Sequence, residues 1–147
     1  MKWLFHILIM VAIQTLVMPF FMVAERDHVE FSLTQVYMGA FMGACMVVVE
    51  GLAMSGHMPL PWYAWLITIV IGVLAVRAYQ RQWFVDDRGY LREMIPHHSM
   101  ALVTSAPRLD TKDPRIQRLA EQIIVTQRRE ISEMRHILAG GVSAPPM

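Results

Sequence analysis

Hydrophobic residues are concentrated in the first half of the chain, in three long runs. Residues 3–24 contain no Asp, Glu, Lys or Arg, residues 36–58 contain only Glu50, and residues 60–76 again contain none. A helix needs about 20 apolar residues to cross the hydrocarbon core of a bilayer, with a range of about 17–25. The pattern predicts a membrane region over residues 1–80, with spanning helices at about 3–24, 36–57 and 60–79.

The second half has a different pattern, in which charges come every few residues and apolar residues recur at helical spacing. Asp113 and Pro114 form a strong helix start, an N-cap acceptor followed by proline at the first helical position. Steps of three and four then mark one helix face, through Ile116, Ala120, Ile123, Gln127, Ile131, Met134 and Leu138. We expect an earlier helix from about Asp86 to about Ser105, kinked at Pro96.

These patterns predict an all-α protein, with three transmembrane helices followed by an antiparallel helical hairpin. The hairpin covers residues 86–139, and residues 140–147 form a short tail. A hairpin of this length is too small to bury a stable core alone. We expect it to dock on the membrane region, or to pair with a second copy in a four-helix bundle. The expected partners are therefore membrane lipid and a homodimer or larger homo-oligomer.

Composition narrows the classes of function. Lys and Arg total 13 against 12 for Asp and Glu, which gives a net charge of +1 and argues against a nucleic-acid partner. A single cysteine excludes an internal disulfide framework and any CxxC motif. Methionine is abundant, at 13 of 147 residues, and it is both a flexible packing residue and a soft metal ligand.

Chemistry-bearing side chains recur on one face of each predicted hairpin helix. Met94, His97 and His98 lie at positions i, i+3 and i+4, and Glu130 and Met134 lie four residues apart on the second helix. Thioether with imidazole is a soft to borderline donor set that suits Cu(I), Ag(I) or Cu(II). Zinc would more often take cysteine, or histidine with carboxylate. The alternative interpretation is that the methionines pack the core and the histidines form a polar helix turn.

Two motifs in the hairpin resemble the domain-of-unknown-function family 305. They are Met-Ile-Pro-His-His at residues 94–98 and Gln-x-x-Glu-Ile-x-x-Met at residues 127–134. The front half is similar to the membrane-anchored subgroup of that family, which has three N-terminal spans and a Tyr-Met opening to the second span, here Tyr37 and Met38. The resemblance implies a ferritin-like helical fold, and copper binding and copper tolerance for several members.

Carried over residue by residue, the resemblance implies a set of metal ligands in the hairpin. These ligands are Met94, His97, His98 and Met134. Glu130 matches an acidic residue of the family, beside the site or structural in role. The chain departs from the family at Thr104, where a methionine is usual, and Met100, one turn earlier, is the expected substitute. Without that substitute the site loses a soft ligand.

Methionines also recur every four residues along the second predicted span, with Glu50 taking one place in the row. A candidate intramembrane site comprises Met42, Met46, Glu50 and Met54. The alternative is that the methionines pack the interface between spans, where Gly39 and Gly43 permit close approach of helices. An ionisable residue inside a span is costly and usually faces a partner, and we expect His6 or Gln14 to pair with Glu50.

The remaining candidates are given no chemical role. Cys45, within the second span, is expected to be inert, because a buried membrane cysteine is usually so. His28 lies in the loop between the first two spans and is expected to have no special role, and His136 lies off the apolar stripe of the second hairpin helix.

The combined expectation is a membrane-anchored bacterial copper-binding protein without catalysis. Its cargo would be Cu(I), with silver as a mimic, held for sequestration or passed to a copper-donor or acceptor protein in copper homeostasis. One alternative is a structural or assembly subunit of a membrane complex without metal. A ferritin-like di-iron oxidase is a weaker alternative, because it needs Glu-x-x-His motifs from more than one helix, and the predicted hairpin helices provide one, at residues 133–136.

Two arguments about orientation conflict. Arg26, Arg77 and Arg81 outnumber Lys2 at the span ends, which by the positive-inside rule puts the hairpin in the cytoplasm. The family resemblance implies the reverse, because copper stress is usually met in the periplasm. We expect a bacterial inner-membrane protein with a periplasmic hairpin.

Overall fold

The structure is a computed structural model, and it describes residues 2–53 and 60–140. Within these ranges the chain is helical and contains no strand, which confirms the predicted all-α class. The chain divides into two compact units, residues 1–18 with 32–85 and residues 19–31 with 86–147. The expected division put residues 1–80 in one region, whereas the structure groups residues 19–31 with the hairpin.

Three helices have the length and the apolar composition to cross a membrane: Trp3–Met22, Leu33–Ala53 and Trp62–Gln80. The first is built from α1 (Lys2–Ala12), a π-helical segment (Ile13–Val17) and α2 (Met18–Met22); the others are α3 (Leu33–Ala53) and α4 (Trp62–Gln80). The predicted number of spans is therefore confirmed by length and composition. The predicted end of the second span, at residue 57, lies outside the described residues.

In the first unit, α1 and α3 approach each other closely at two glycines. A Cβ atom built on Gly39 would lie 2.6 Å from the Cα atom of Val11, and one built on Gly43 would lie 2.6 Å from the Cα atom of Ile7. Real Cβ atoms do not come so near to a neighbouring backbone, so only glycine allows this packing. The predicted role of the small residues of the second span is confirmed.

The methionines of α3 lie on another side of that helix. Gly39 and Gly43 are buried, whereas Met38, Met42 and Met46 are 39%, 46% and 46% exposed. The interpretation that these methionines pack the interface between spans is wrong for these three residues. A helix inside a bilayer presents such apolar side chains to lipid or to another helix.

The second unit contains the hairpin helices α5 (Asp87–Ser105) and α6 (Pro114–Leu138), joined through a 3₁₀ turn at Ala106–Arg108. The carboxylate of Asp86 caps α5 by accepting a hydrogen bond from the Gly89 N–H, and Asp113 caps α6 by accepting one from the Arg115 N–H. These local signals explain why the predicted helix starts agree with the structure. The expected kink at Pro96 stays a prediction.

The hairpin core lies between α5 and α6. Its buried members are Ile95, Leu102, Ile131 and Met134, and Leu91, Met94, Ile124 and Leu138 pack against them. Arg88, near the start of α5, donates a hydrogen bond to the carbonyl of Leu138, the last residue of α6. The helices are therefore antiparallel. Ile116, at the start of the α6 stripe, is 46% exposed, so this core covers only part of the stripe. The four-helix bundle stays a prediction.

Candidate metal site

Two of the predicted hairpin residues meet across α5 and α6. The Nδ1 atom of His98 lies 3.0 Å from Oε2 of Glu130. This contact has the distance of an ion pair but not the geometry of a hydrogen bond, since His98 Nδ1 is buried and has no hydrogen-bond partner among the described residues. A buried ring nitrogen therefore lies beside a carboxylate oxygen without a hydrogen bond between them.

The two predicted methionines lie one helical turn away from this contact, one on each helix. Met94 precedes His98 by four residues on α5, and Met134 follows Glu130 by four residues on α6, so in antiparallel helices the two pairs are in register. Met134 is buried in the hairpin core and Met94 packs against that core. Four residues correspond to about 6 Å along a helix axis. Two thioethers, one imidazole and one carboxylate therefore follow one seam of the hairpin.

The other predicted hairpin residues are less closely associated with this seam. His97 is half-buried on α5, next to His98. Met100 is 39% exposed and is not a member of the buried core. The hydroxyl of Thr104 donates within its own helix, with the carbonyl oxygens of Met100 and Ala101 3.1 Å and 3.3 Å away.

In the membrane unit, the expected partner of Glu50 is identified. Its Oε2 atom lies 2.7 Å from Nδ1 of His6, an ion-pair distance that, as in His98 and Glu130, lacks hydrogen-bond geometry, so His6 rather than Gln14 is the residue that meets it. Met42 and Met46 are on the exposed surface of α3, so within the described residues of one chain they line no enclosed site with Glu50. Met54, the fourth candidate ligand, lies outside the described residues.

A further cluster lies in the loop that precedes α3. His28 is only 6% exposed, and its Nδ1 atom lies 2.9 Å from the hydroxyl of Ser99 on α5. Glu25, Asp27 and His28 each offer a ligand atom, and these atoms all lie within 4.8 Å of one another. The expectation that His28 has no special role in the structure is wrong. The burial of His28 against Ser99 has no signal in the sequence, because the two residues are 71 positions apart.

The comparisons with known proteins agree with the hairpin motifs. Residues 77–140, which include α5 and α6, match the family described as Domain of unknown function (DUF305). The chain is also 42% identical over 111 residues to an uncharacterized protein of Acanthamoeba polyphaga mimivirus, covering 75% of this chain and 73% of that protein. The chain belongs to the DUF305 family. No solved structure matches it.

The match to the viral relative is longer than the family match. Its 111 residues exceed the span 77–140, so the similarity extends into the membrane region of the chain. At least part of the apolar helices and part of the DUF305 match therefore recur together in a second protein.

Several side chains of the DUF305 hairpin carry donor atoms of kinds that bind metal ions. Two donor atoms 3.0 Å apart, as in His98 and Glu130, would subtend about a right angle at one ion bound to both at about 2.0–2.2 Å. The thioethers of Met94 and Met134 add soft donors in an apolar setting. Glu133 and His136, the residues of the Glu-x-x-His motif, are both exposed, whereas di-iron sites use such residues pointing into the bundle.

Proposed function

We propose that this chain is a membrane-anchored copper-binding protein, which holds Cu(I) in its hairpin for sequestration or hand-over in copper homeostasis. The observation that carries the proposal is the common register of two pairs across α5 and α6, His98 with Glu130 and Met94 with Met134. The role is storage or transfer, without a chemical reaction on the ion.

Each donor side chain would contribute to copper binding according to its chemistry. Thioethers are soft ligands that favour Cu(I) over the harder divalent ions. The imidazole of His98 adds a borderline donor, and His97 beside it offers a second. Glu130 brings a negative charge next to the seam, which offsets the charge of the ion in an apolar surrounding. Met100 is a weaker candidate, because it is exposed and outside the core.

The location is part of the proposal. Three helices that could cross a membrane support anchoring, and we assign the protein to the inner membrane of a bacterium with the hairpin in the periplasm. The viral source of the matched relative does not support a bacterial host. Alkaline phosphatase fused after residue 147 is expected to be active, because it folds in the periplasm; an inactive fusion with a fluorescent cytoplasmic counterpart would overturn the orientation.

The experiment that tests the function is a Cu(I) titration of the detergent-purified chain against a competing chelator. The wild type is expected to withdraw about one copper per chain or per dimer, and a His97→Ala/His98→Ala variant is expected to withdraw none. A Met38→Leu variant changes an exposed methionine outside the hairpin and serves as the matched control, with unchanged binding. If neither the wild type nor the control competes with the chelator, the copper function fails and the alternative of a metal-free assembly subunit is favoured.

A further inference from the structure

The geometry points to a second metal site in this protein, formed by Glu25, Asp27 and His28 and suited to a divalent cation of borderline character such as Zn²⁺. It lies in the loop before α3 and shares no ligand with the hairpin seam. It therefore stands independently of the copper proposal.

His28 has the features of a prepared metal ligand. Its side chain is nearly completely buried, and its Nδ1 atom is held 2.9 Å from the hydroxyl of Ser99. Ser99 is itself fully buried, and its Oγ atom accepts a hydrogen bond from the N–H of Ala24 over 2.8 Å. Metal-binding histidines almost always have one ring nitrogen held in this way, which fixes the ring and leaves the other nitrogen for the ion. In His28 that other nitrogen is Nε2.

The nearest carboxylate faces Nε2 but does not bond to it. Oε2 of Glu25 lies 3.9 Å from His28 Nε2, beyond hydrogen-bond distance. All three ligand atoms lie within 4.8 Å of one another. Two donors on one ion, each at about 2.0–2.2 Å, are at most about 4.4 Å apart. Glu25 and Asp27 are exposed, so their side chains can close this small difference without moving the buried ring of His28.

Asp27 already has a cationic neighbour. Oδ2 of Asp27 accepts a hydrogen bond from the guanidinium of Arg135, and this bond is the main reason why the pKa of Asp27 lies below its usual value. This bond uses Oδ2 and leaves the second carboxylate oxygen, Oδ1, for an ion. Arg135 also ties the loop to α6, just as Ser99 ties it to α5, so both hairpin helices hold the site in place.

A cavity of about 600 Å³ gives an ion access to His28. Its walls include Glu25, His28, Arg128, Ser132, Arg135 and His136. His136 thus adds a second imidazole to the wall of the cavity in which Nε2 of His28 would bind the ion. Two arginines, Arg128 and Arg135, share the cavity wall with Glu25, and Arg135 is engaged with Asp27. One or two imidazoles with two carboxylates are typical ligands of zinc and differ from the soft set of the hairpin.

The test is a calorimetric titration of the detergent-purified full chain with Zn²⁺. The wild type is expected to bind one Zn²⁺ per chain. Glu25→Gln, a change at an exposed residue that should not affect folding, is expected to weaken binding at least tenfold. His28→Gln is expected to abolish it. Glu121→Gln, an exposed change on α6 outside the cluster, is the matched control and is expected to bind like the wild type.

The outcomes separate this site from the hairpin site. A His97→Ala/His98→Ala variant is expected to keep its Zn²⁺ affinity, whatever it does to Cu(I). Zn²⁺ binding that survives Glu25→Gln, or that is lost only with the hairpin histidines, would overturn the second site. So would saturable binding of inorganic phosphate in place of Zn²⁺, which would identify the cavity as an anion site. If His28→Gln fails to fold, Glu25→Gln decides the question alone.

Discussion

The imidazole of His28 and the hydroxyl of Ser99 lie 2.9 Å apart, although 71 positions separate them in the chain. This contact joins the loop before α3 to the middle of the first hairpin helix. Ser99 directly follows His98, whose ring faces Glu130 on α6. His98 and Ser99 thus contact different neighbours, because successive side chains on a helix point in different directions.

Removing the Ser99 hydroxyl should destabilise the second unit. In Ser99→Ala the N–H of Ala24 and the buried ring of His28 both lose their partner. Buried polar groups left without a hydrogen bond cost about 1–3 kcal/mol, and a loss of that size is expected in the free energy of unfolding, measured by chemical denaturation in detergent. Ser132→Ala, at an exposed serine of α6, should stay within about 0.5 kcal/mol of the wild type. Equal losses in the two variants would contradict the assignment.

Because α1 and α3 approach each other closely at Gly43, we expect a single methyl group added there to destabilise the fold. Gly43→Ala places a Cβ atom 2.6 Å from the Cα atom of Ile7, so the helices must separate, and overpacking of this kind costs about 1–3 kcal/mol. Gly72→Ala is the matched control, because its Cβ atom would meet only the Cβ atom of Ala44 at 3.5 Å, an ordinary contact. Thermal unfolding in detergent should distinguish the two. Tolerance of alanine at both positions would exclude the packing described.

The His6–Glu50 contact predicts energetic coupling between α1 and α3. Each single change, His6→Ala or Glu50→Ala, leaves one polar group without its partner inside a span. The double variant leaves neither. In a double-mutant cycle, we expect the sum of the losses of unfolding free energy in the two single variants to exceed the loss in the double variant by about 0.5–2 kcal/mol. Strict additivity would indicate that the two side chains do not interact in the protein.

The cap of α6 predicts a dependence of stability on pH. The guanidinium of Arg115 is the main cause that holds the pKa of Asp113 below its usual value of 3.8, and the N–H groups at the helix start add to it. A carboxylate with a lowered folded-state pKa stabilises the fold above its unfolded-state pKa, and this contribution is lost as the pH falls through the folded value. Asp113→Ala should therefore lower the unfolding temperature at pH 7.

That difference between the wild type and Asp113→Ala should shrink as the pH is taken below 3.8. The measurement is the unfolding temperature of both proteins between neutral pH and pH about 3. Asp110→Ala, a change in the exposed turn before the cap, is the control and should follow the wild type throughout. A difference that stays constant with pH would show that the Asp113 carboxylate does not act through its charge.

The hairpin could be predicted from the sequence because its signals are local. Asp113 and Pro114 mark a helix start within two residues, and the α6 stripe repeats at the period of a helix. The Gly39 and Gly43 pattern was equally readable, since small residues four apart make a groove in any helix. For these elements the structure follows from short-range rules.

Two features could not be predicted, for different physical reasons. A methionine at every fourth position of α3 defines a row on the helix, but the row does not reveal which face of the helix packs against a neighbour. In the structure, Met42 and Met46 are exposed. The role of His28 depends on Ser99, a residue that comes near it only after α5 has formed and the loop has packed. Contacts between residues far apart in the chain produce no repeating pattern in a single sequence.

We propose that Cu(I) binds to thioether and imidazole together on the hairpin seam. The most direct measurement is X-ray absorption spectroscopy of the Cu(I)-loaded chain, beside a Met94→Leu/Met134→Leu variant. The wild type is expected to show sulfur and nitrogen scatterers in the first coordination shell, and the variant to lose its sulfur contribution and its high affinity for Cu(I). A first shell of nitrogen and oxygen alone, or a sulfur signal that survives in the variant, would contradict the assignment of the ion to Met94, His98 and Met134.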